Sequence, residues 1–169
     1  LSRVLKCDAG TSSARVLFAA GSNLMSQSNS SAAYAGDVSP ADAWGTLGSD
    51  PAAQVIDVRT TAEWNFVGLP DLSSANREVQ LVEWQSFPTM TPNPDFVAQV
   101  SAANTDKNAP LFFLCRSGAR SRAAAIAMTR AGYTRAYNIA GGFEGDLNAE
   151  RHRGHHNGWK ASGLPWRQS

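Results

Sequence analysis

At 169 residues, with 43% hydrophobic and 17% charged residues, the chain fits one soluble domain with a sizeable core. Its formal net charge of +1 gives no basis for nucleic acid as a partner, and no apolar run approaches the roughly 18 residues a membrane span requires. The two cysteines, Cys7 and Cys115, stand in unlike contexts, which argues against a disulfide framework and for a reducing, cytoplasmic compartment.

Residues 1–33 read differently from the rest. Leu1–Leu24 contain Arg3, Lys6 and Arg15 against a single acid, Asp8, and Ser26–Ser31 is polar and nearly featureless. Disorder is expected there. Two origins stay open: an acid-poor transit segment, which would direct the protein to mitochondria, or upstream or tag-derived sequence ahead of a native start at Met25.

From Tyr34 the pattern becomes that of a folded domain. Tyr34–Val38 predicts a short edge strand, and Ser39-Pro40 an N-cap and first helical residue for a helix to Leu47 that Gly48 stops. Gln54–Val58 predicts a strand with Asp57 and Arg59 at its C-terminal end, where open parallel sheets place their sites. That pair has two readings, a surface turn with an ion pair to Glu63 or support for a site. Glu78–Trp84 alternates enough to predict another strand. Phe87–Pro94 is a proline-punctuated loop, neither helix nor central strand. Trp84, Phe87 and Met90 either line a pocket beside Cys115 or pack on the core. Asp95–Ala103 is helical by the spacing of Phe96, Val97 and Val100.

Leu111–Leu114, bounded by Pro110, predicts a buried strand, and the Ala-rich run after Arg120 a helix lying close on a sheet. Cys115 thus stands at a strand-to-helix turn. Free amide N–H groups there point at whatever the sulfur carries, and the helix dipole and three arginines (Arg116, Arg120, Arg122) favour negative charge. A thiolate nucleophile is one reading of Cys115; a small buried hydrophobe closing a strand is the other. Gly132 ends the helix, Arg135–Asn138 predicts a strand, and Gly141-Gly142 permits a sharp turn. The histidine cluster at Arg151–His156 lacks a thiolate or carboxylate at zinc-like spacing; it reads as a solvated loop, and neither metal nor cofactor is expected. Strands alternating with helices predict an α/β fold with a parallel sheet covered on both faces.

Three segments, in order, resemble the rhodanese (sulfurtransferase) family. Cys115–Ser121, Cys-Arg-Ser-Gly-Ala-Arg-Ser, is similar to its active-site loop; Val55–Trp64 looks like its first motif; Tyr137–Gly145 looks like its strand, Gly-Gly, helix segment. Trp159–Trp166 resembles the closing segment of bacterial single-domain members, and both tryptophans are expected to cover apolar surface. The sequence departs at Val67–Leu72, where the family's Gly-His-Ile-Pro-Gly-Ala string has lost its histidine.

The resemblance implies one rhodanese domain over 34–169, a three-layer fold with about five parallel strands. It implies that Cys115 is catalytic and moves a sulfane sulfur from thiosulfate or a persulfide, through a Cys115 persulfide, to a thiophilic acceptor, an unidentified thiol or protein. Arg116, Ser117, Gly118, Ala119, Arg120 and Ser121 would bind the small anionic donor, with Arg116 and Arg120 holding its charge. Asp57 and Arg59 would tie the first motif to the active loop. Two other readings compete. Cysteine phosphatases of the same fold place five residues between Cys and Arg, whereas four separate Cys115 from Arg120, a loop too short for a phosphoryl group. Members of the family that serve as binding modules lack the cysteine, whereas Cys115 is present, and a redox sensor would need a resolving cysteine, while Cys7 lies in the tail.

Overall fold

The computed structural model describes residues 33–168; the expectations for the N-terminal segment and for Cys7 fall outside the described residues. In chain order the elements are β1 (Gly36–Val38), α1 (Pro40–Ser49), β2 (Gln54–Asp57), α2 (Thr61–Val67), β3 (Leu69–Pro70), β4 (Gln80–Leu81), β5 (Gln85–Ser86), β6 (Thr91–Pro92), α3 (Phe96–Ala103), β7 (Leu111–Leu114), α4 (Ala119–Arg130), β8 (Ala136–Ile139), α5 (Gly158–Ala161) and β9 (Trp166–Arg167). Five of the strands form one parallel sheet in the order β1-β8-β7-β2-β4.

The centre of that sheet is β7, all four of whose residues are buried. A strand enclosed on both faces is a continuous apolar run, so it needs no alternation. The pleat still divides its side chains. Leu111, Phe113 and Ile56 pack with Phe96 and Val100 of α3 and with Ala124, Ala125 and Met128 of α4. Phe112, Leu114 and Val55 pack on the other face with Ala43 and Leu47 of α1, Phe143 and Trp159. This makes three layers.

The register pairs Asp57 with Leu114. Arg59 and Cys115 therefore leave the sheet at the same C-terminal edge, one strand apart. Trp159 is fully buried and donates its indole N–H to the Pro165 carbonyl at 2.8 Å. Trp166 stays 41% exposed and meets Phe143 edge-on.

Three boundaries differ from expectation. Ser39 does cap α1, accepting the Asp42 N–H at 3.1 Å, but Gly48 does not stop it; the helix continues to Ser49 because its φ stays helical and Asp50 takes the C-cap, its N–H on the Thr46 carbonyl. The predicted strand Glu78–Trp84 pairs with β2 only at Gln80 and Leu81. Beyond that it is an irregular sheet edge in which Val82 and Trp84 donate to the carbonyls of Asp57 and Val58. The proline segment is not wholly loop: β5 and β6 form a separate antiparallel hairpin with Phe87–Met90 at its tip, and Pro92 is tolerated because that strand lies outside the main sheet. No helix among the described residues is long and apolar enough to cross a membrane.

Burial separates two phenylalanines that look alike in sequence. Phe113 is fully buried, whereas Phe87 is 65% exposed. Phe113→Ala should lower the unfolding free energy by about 3–5 kcal/mol, and Phe87→Ala should change it by no more than about 0.5 kcal/mol, both read from urea denaturation.

Candidate active site

Cys115 follows β7 directly, and its side chain is 1% exposed. Two donors reach its sulfur: the Gly118 N–H at 3.1 Å and the Ser121 hydroxyl at 3.1 Å. Gly118 has φ 115, a conformation open to glycine, and this turns the chain from the loop into α4. The amides of Ser117, Ala119, Arg120 and Ser121 have no hydrogen-bond partner among the described residues. Such amides at the start of a helix form a concavity suited to an anion.

The loop's carbonyls are held the other way. Phe143 donates its N–H to the Cys115 carbonyl at 2.7 Å, and Glu144 and Gly145 donate to that of Arg116 at 3.0 and 3.2 Å. The Gly141-Gly142 turn makes this approach possible. Gly142, at φ 59, lies so close that an added Cβ would strike the Cys115 carbonyl oxygen and come within 2.7 Å of the Arg116 carbonyl carbon.

Behind the sulfur is a polar chain. The Ser121 hydroxyl lies 2.6 Å from Asn138 Oδ1, Asn138 Nδ2 donates to Asp37 at 2.8 Å, and Asp37 also accepts from Tyr34 and Arg122. Ser121 and Asn138 are buried. Burial alone would raise the Asp37 carboxyl, but hydrogen bonds from Tyr34, Asn138 and Arg122 hold it below its ordinary range. Asn138 and Asp37 were not singled out from sequence, although an asparagine between apolar neighbours in a buried strand is the kind of signal that marks such a chain.

The arginines divide. Arg120 makes a bidentate pair with Glu63, 2.8 and 2.7 Å, with about a fifth of each side chain exposed. Glu63 also closes a capping box with Thr60 at the start of α2. Burial would raise this carboxyl, but Arg120 and Thr60 hold it down at about 2. Arg120, expected to hold a donor's charge, has its charge offset by Glu63. Arg122 pairs with Asp37 at 2.8 Å. Arg116 is exposed and has no ionic partner among the described residues.

Arg116 and Arg120 border a cleft of about 400 Å³ shared with Glu63, Val67, Phe87 and Met90. Ser117, Gly118 and Ala119 line a smaller recess of about 250 Å³ on the far side of the loop, beside Asn138 and Arg122. Five of the six predicted binding residues thus face two hollows, and the sixth, Ser121, is buried against the Cys115 sulfur. Phe87 and Met90 belong to the cleft wall, while Trp84 packs edge-on against Phe96 at 4.9 Å and belongs to the core.

Asp57 and Arg59 are fully buried and paired at 2.7 Å, so neither is a surface turn and neither touches Glu63. The expected direct tie to the active loop is also corrected. Arg59 donates to the Gly68 carbonyl at 2.7 Å and stacks on the Phe143 ring at 4.2 Å; it is Phe143 that holds the loop. At Gly68, in the segment where the histidine is missing, an added Cβ would lie 2.5 Å from the Arg167 carbonyl oxygen, so that segment is packed closely on β9. His152, His155 and His156 are exposed, and no group of three metal-ligating side chains converges among the described residues.

The family model described as the STR4 middle domain matches residues 35–169. An uncharacterised protein of Rickettsia conorii is 42% identical over 125 residues, 73% of this chain and 90% of that one. Rhodanese-like domain-containing protein 4 of Arabidopsis thaliana, chloroplastic, is 28% identical over 126 residues, 74% of this chain and 24% of that one. Among solved structures, Rv0390 from M. tuberculosis shares 52% identity at a TM-score of 0.74, covering 80% of this chain and 99% of that one. The polysulfide-sulfur transferase homodimer from Wolinella succinogenes shares the fold, with a TM-score of 0.52 and 21% identity over 79% of this chain and 78% of that one.

The Glu63 carboxyl gives a pH test. Its folded value, about 2, lies below the unfolded value of about 4.3, so its contribution to stability is complete above the unfolded value and is lost as pH falls from about 4.5 toward 2. Glu63→Gln should flatten the pH dependence of the urea midpoint within that window relative to the unsubstituted protein.

Proposed function

Because this chain belongs to the rhodanese-like family, we propose that it is a sulfurtransferase in which Cys115 carries the transferred sulfur as a persulfide. The observation that supports this reading best is the polarity of the loop: the carbonyls of Cys115 and Arg116 are taken by the amides of Phe143, Glu144 and Gly145, while the sulfur accepts from the Gly118 N–H and the Ser121 hydroxyl.

In the first displacement the Cys115 thiolate attacks the outer sulfur of the donor. The donor's bond to that sulfur breaks, and the electron pair leaves with sulfite from thiosulfate or with a thiolate from a persulfide. Cys115 then ends in a terminal S⁻. That anion meets the unpartnered loop amides, which stabilise charge as it forms. In the second displacement an acceptor nucleophile, a thiol or cyanide, takes the outer sulfur and the Cys115 thiolate returns. Two half-reactions through a covalent intermediate give ping-pong kinetics.

Ser121 adds a proton switch. Its single hydroxyl proton faces three acceptors: Asn138 Oδ1 at 2.6 Å, Cys115 Sγ at 3.1 Å and the Gly118 carbonyl at 3.2 Å. Asn138 is oriented by Asp37, so its oxygen faces Ser121. With a neutral thiol, Ser121 donates to Asn138 and accepts from S–H. With an anionic sulfur, the proton turns to the sulfur, a charge-assisted bond.

Two outcomes test this. Intact-protein mass should rise by one sulfur atom after thiosulfate or a thiosulfonate and fall again after cyanide, and Cys115→Ser should gain nothing; a gain in that variant overturns the assignment. Ser121→Ala should slow loading by about 10- to 100-fold, the worth of one charge-assisted hydrogen bond, in rapid-quench measurements at pH 7–8.

A further inference from the structure

Resting on the sulfurtransferase reading, we propose that the donor is a monoanionic organosulfur compound with an apolar body, an organic thiosulfonate or persulfide, and that Glu63, Phe87 and Met90 select it over dianionic thiosulfate.

Charge is the first ground. Of the three loop arginines, Arg122 is held by Asp37 on the far side and Arg120 by Glu63 through two bonds. Only Arg116 offers the cleft an uncompensated cation among the described residues. A second negative charge would therefore lie near the Glu63 carboxylate without a guanidinium of its own, and like charges at such range repel. Glu63 keeps its charge throughout the neutral range, since it stays ionised down to about 2. One net positive charge matches one negative charge on the ligand.

Size and surface are the second ground. Thiosulfate is little larger than sulfate, whereas the cleft holds about 400 Å³, a volume suited to an organic molecule. Its outer wall is the tip of the β5–β6 hairpin, where Phe87 is 65% and Met90 38% exposed, and Val67 is also in the lining. Met90 sits at φ 54, a backbone region that a residue with a side chain adopts only against a cost. Large apolar groups on a two-stranded hairpin at the mouth of a charged loop are poised to cover an apolar ligand, and the thioether adapts to its shape. The arrangement divides a donor in two: the anionic sulfur end toward Arg116 and the loop, the organic end against Phe87 and Met90.

The step balances. A thiosulfonate, R–SO₂–S⁻, gives its outer sulfur to the Cys115 thiolate; the S–S bond of the donor breaks, the sulfinate R–SO₂⁻ leaves with the electron pair, and Cys115–S–S⁻ forms. An organic persulfide anion, R–S–S⁻, likewise gives its outer sulfur to the Cys115 thiolate; its S–S bond breaks, R–S⁻ leaves with the electron pair, and Cys115–S–S⁻ forms. Neither needs an external oxidant or reductant.

The test compares sulfur loading and cyanide-dependent turnover with three probes: benzenethiosulfonate, methanethiosulfonate and thiosulfate. Methanethiosulfonate has the charge and leaving-group class of the first without its bulk. Benzenethiosulfonate should exceed methanethiosulfonate in kcat/KM by about tenfold, and the Phe87→Ala, Met90→Ala double variant should reduce that ratio to near one. Glu63→Gln, by releasing Arg120, should raise the thiosulfate-to-methanethiosulfonate ratio by about tenfold, mainly through KM. The double variant alters only exposed side chains, so its outcome is independent of whether Glu63→Gln folds well. Equal use of the two thiosulfonates, or a ratio that neither variant moves, overturns the donor assignment while Cys115 loading still supports sulfur transfer. Absence of loading by all three probes overturns both.

Discussion

Everything at the site depends on the backbone of Cys115 and Arg116 being turned so that its carbonyls face away from the sulfur. The amides of Phe143, Glu144 and Gly145 impose this by taking those carbonyls, and they reach them because Gly142 has no side chain to interpose. A peptide plane carries its N–H opposite its C=O, so fixing these two carbonyls turns the Arg116 and Ser117 N–H groups the other way, while those of Ala119, Arg120 and Ser121 are left free by the start of α4. The direction of these carbonyls follows from where β8 ends and how sharply the chain turns after it.

That constraint is anchored from beneath by a buried ion pair. Arg59 is enclosed with Asp57, with its guanidinium on the Phe143 ring and a bond to the Gly68 carbonyl. A buried charge of this kind persists only where it is paired and hydrogen-bonded. One residue thus joins the first motif, the segment before β9 and the turn that staples the active loop.

The cleft is a balance of charges rather than a basic patch. Three arginines in eight residues would suggest strong attraction for any anion, yet Glu63 and Asp37 each take one of them. The field that remains is that of Arg116 and the oriented amides. Opposite it stand Phe87 and Met90, so the surface that meets a ligand is half electrostatic and half apolar. The dominance of amides over side-chain charge suits a single terminal sulfur, which is small and polarisable.

The five strands of the main sheet, the helices α1, α3 and α4, and the position of Cys115 at the end of Leu111–Leu114 were determined by the sequence alone, because apolar runs, caps and glycines act through neighbours within a few residues. Likewise the Thr60-Glu63 box could be read locally, since three residues on a helix start are enough to define it. The tertiary structure decided the rest. Which arginine is free depends on Glu63 and Asp37, which lie 57 and 85 residues from their partners; the Ser121–Asn138–Asp37 chain joins three elements; and the division of Trp84 from Phe87 and Met90 turns on a hairpin whose strands are too short to announce themselves. Ion pairs and exposure are set by folding distant segments together, and a linear reading holds the residues but not their separations.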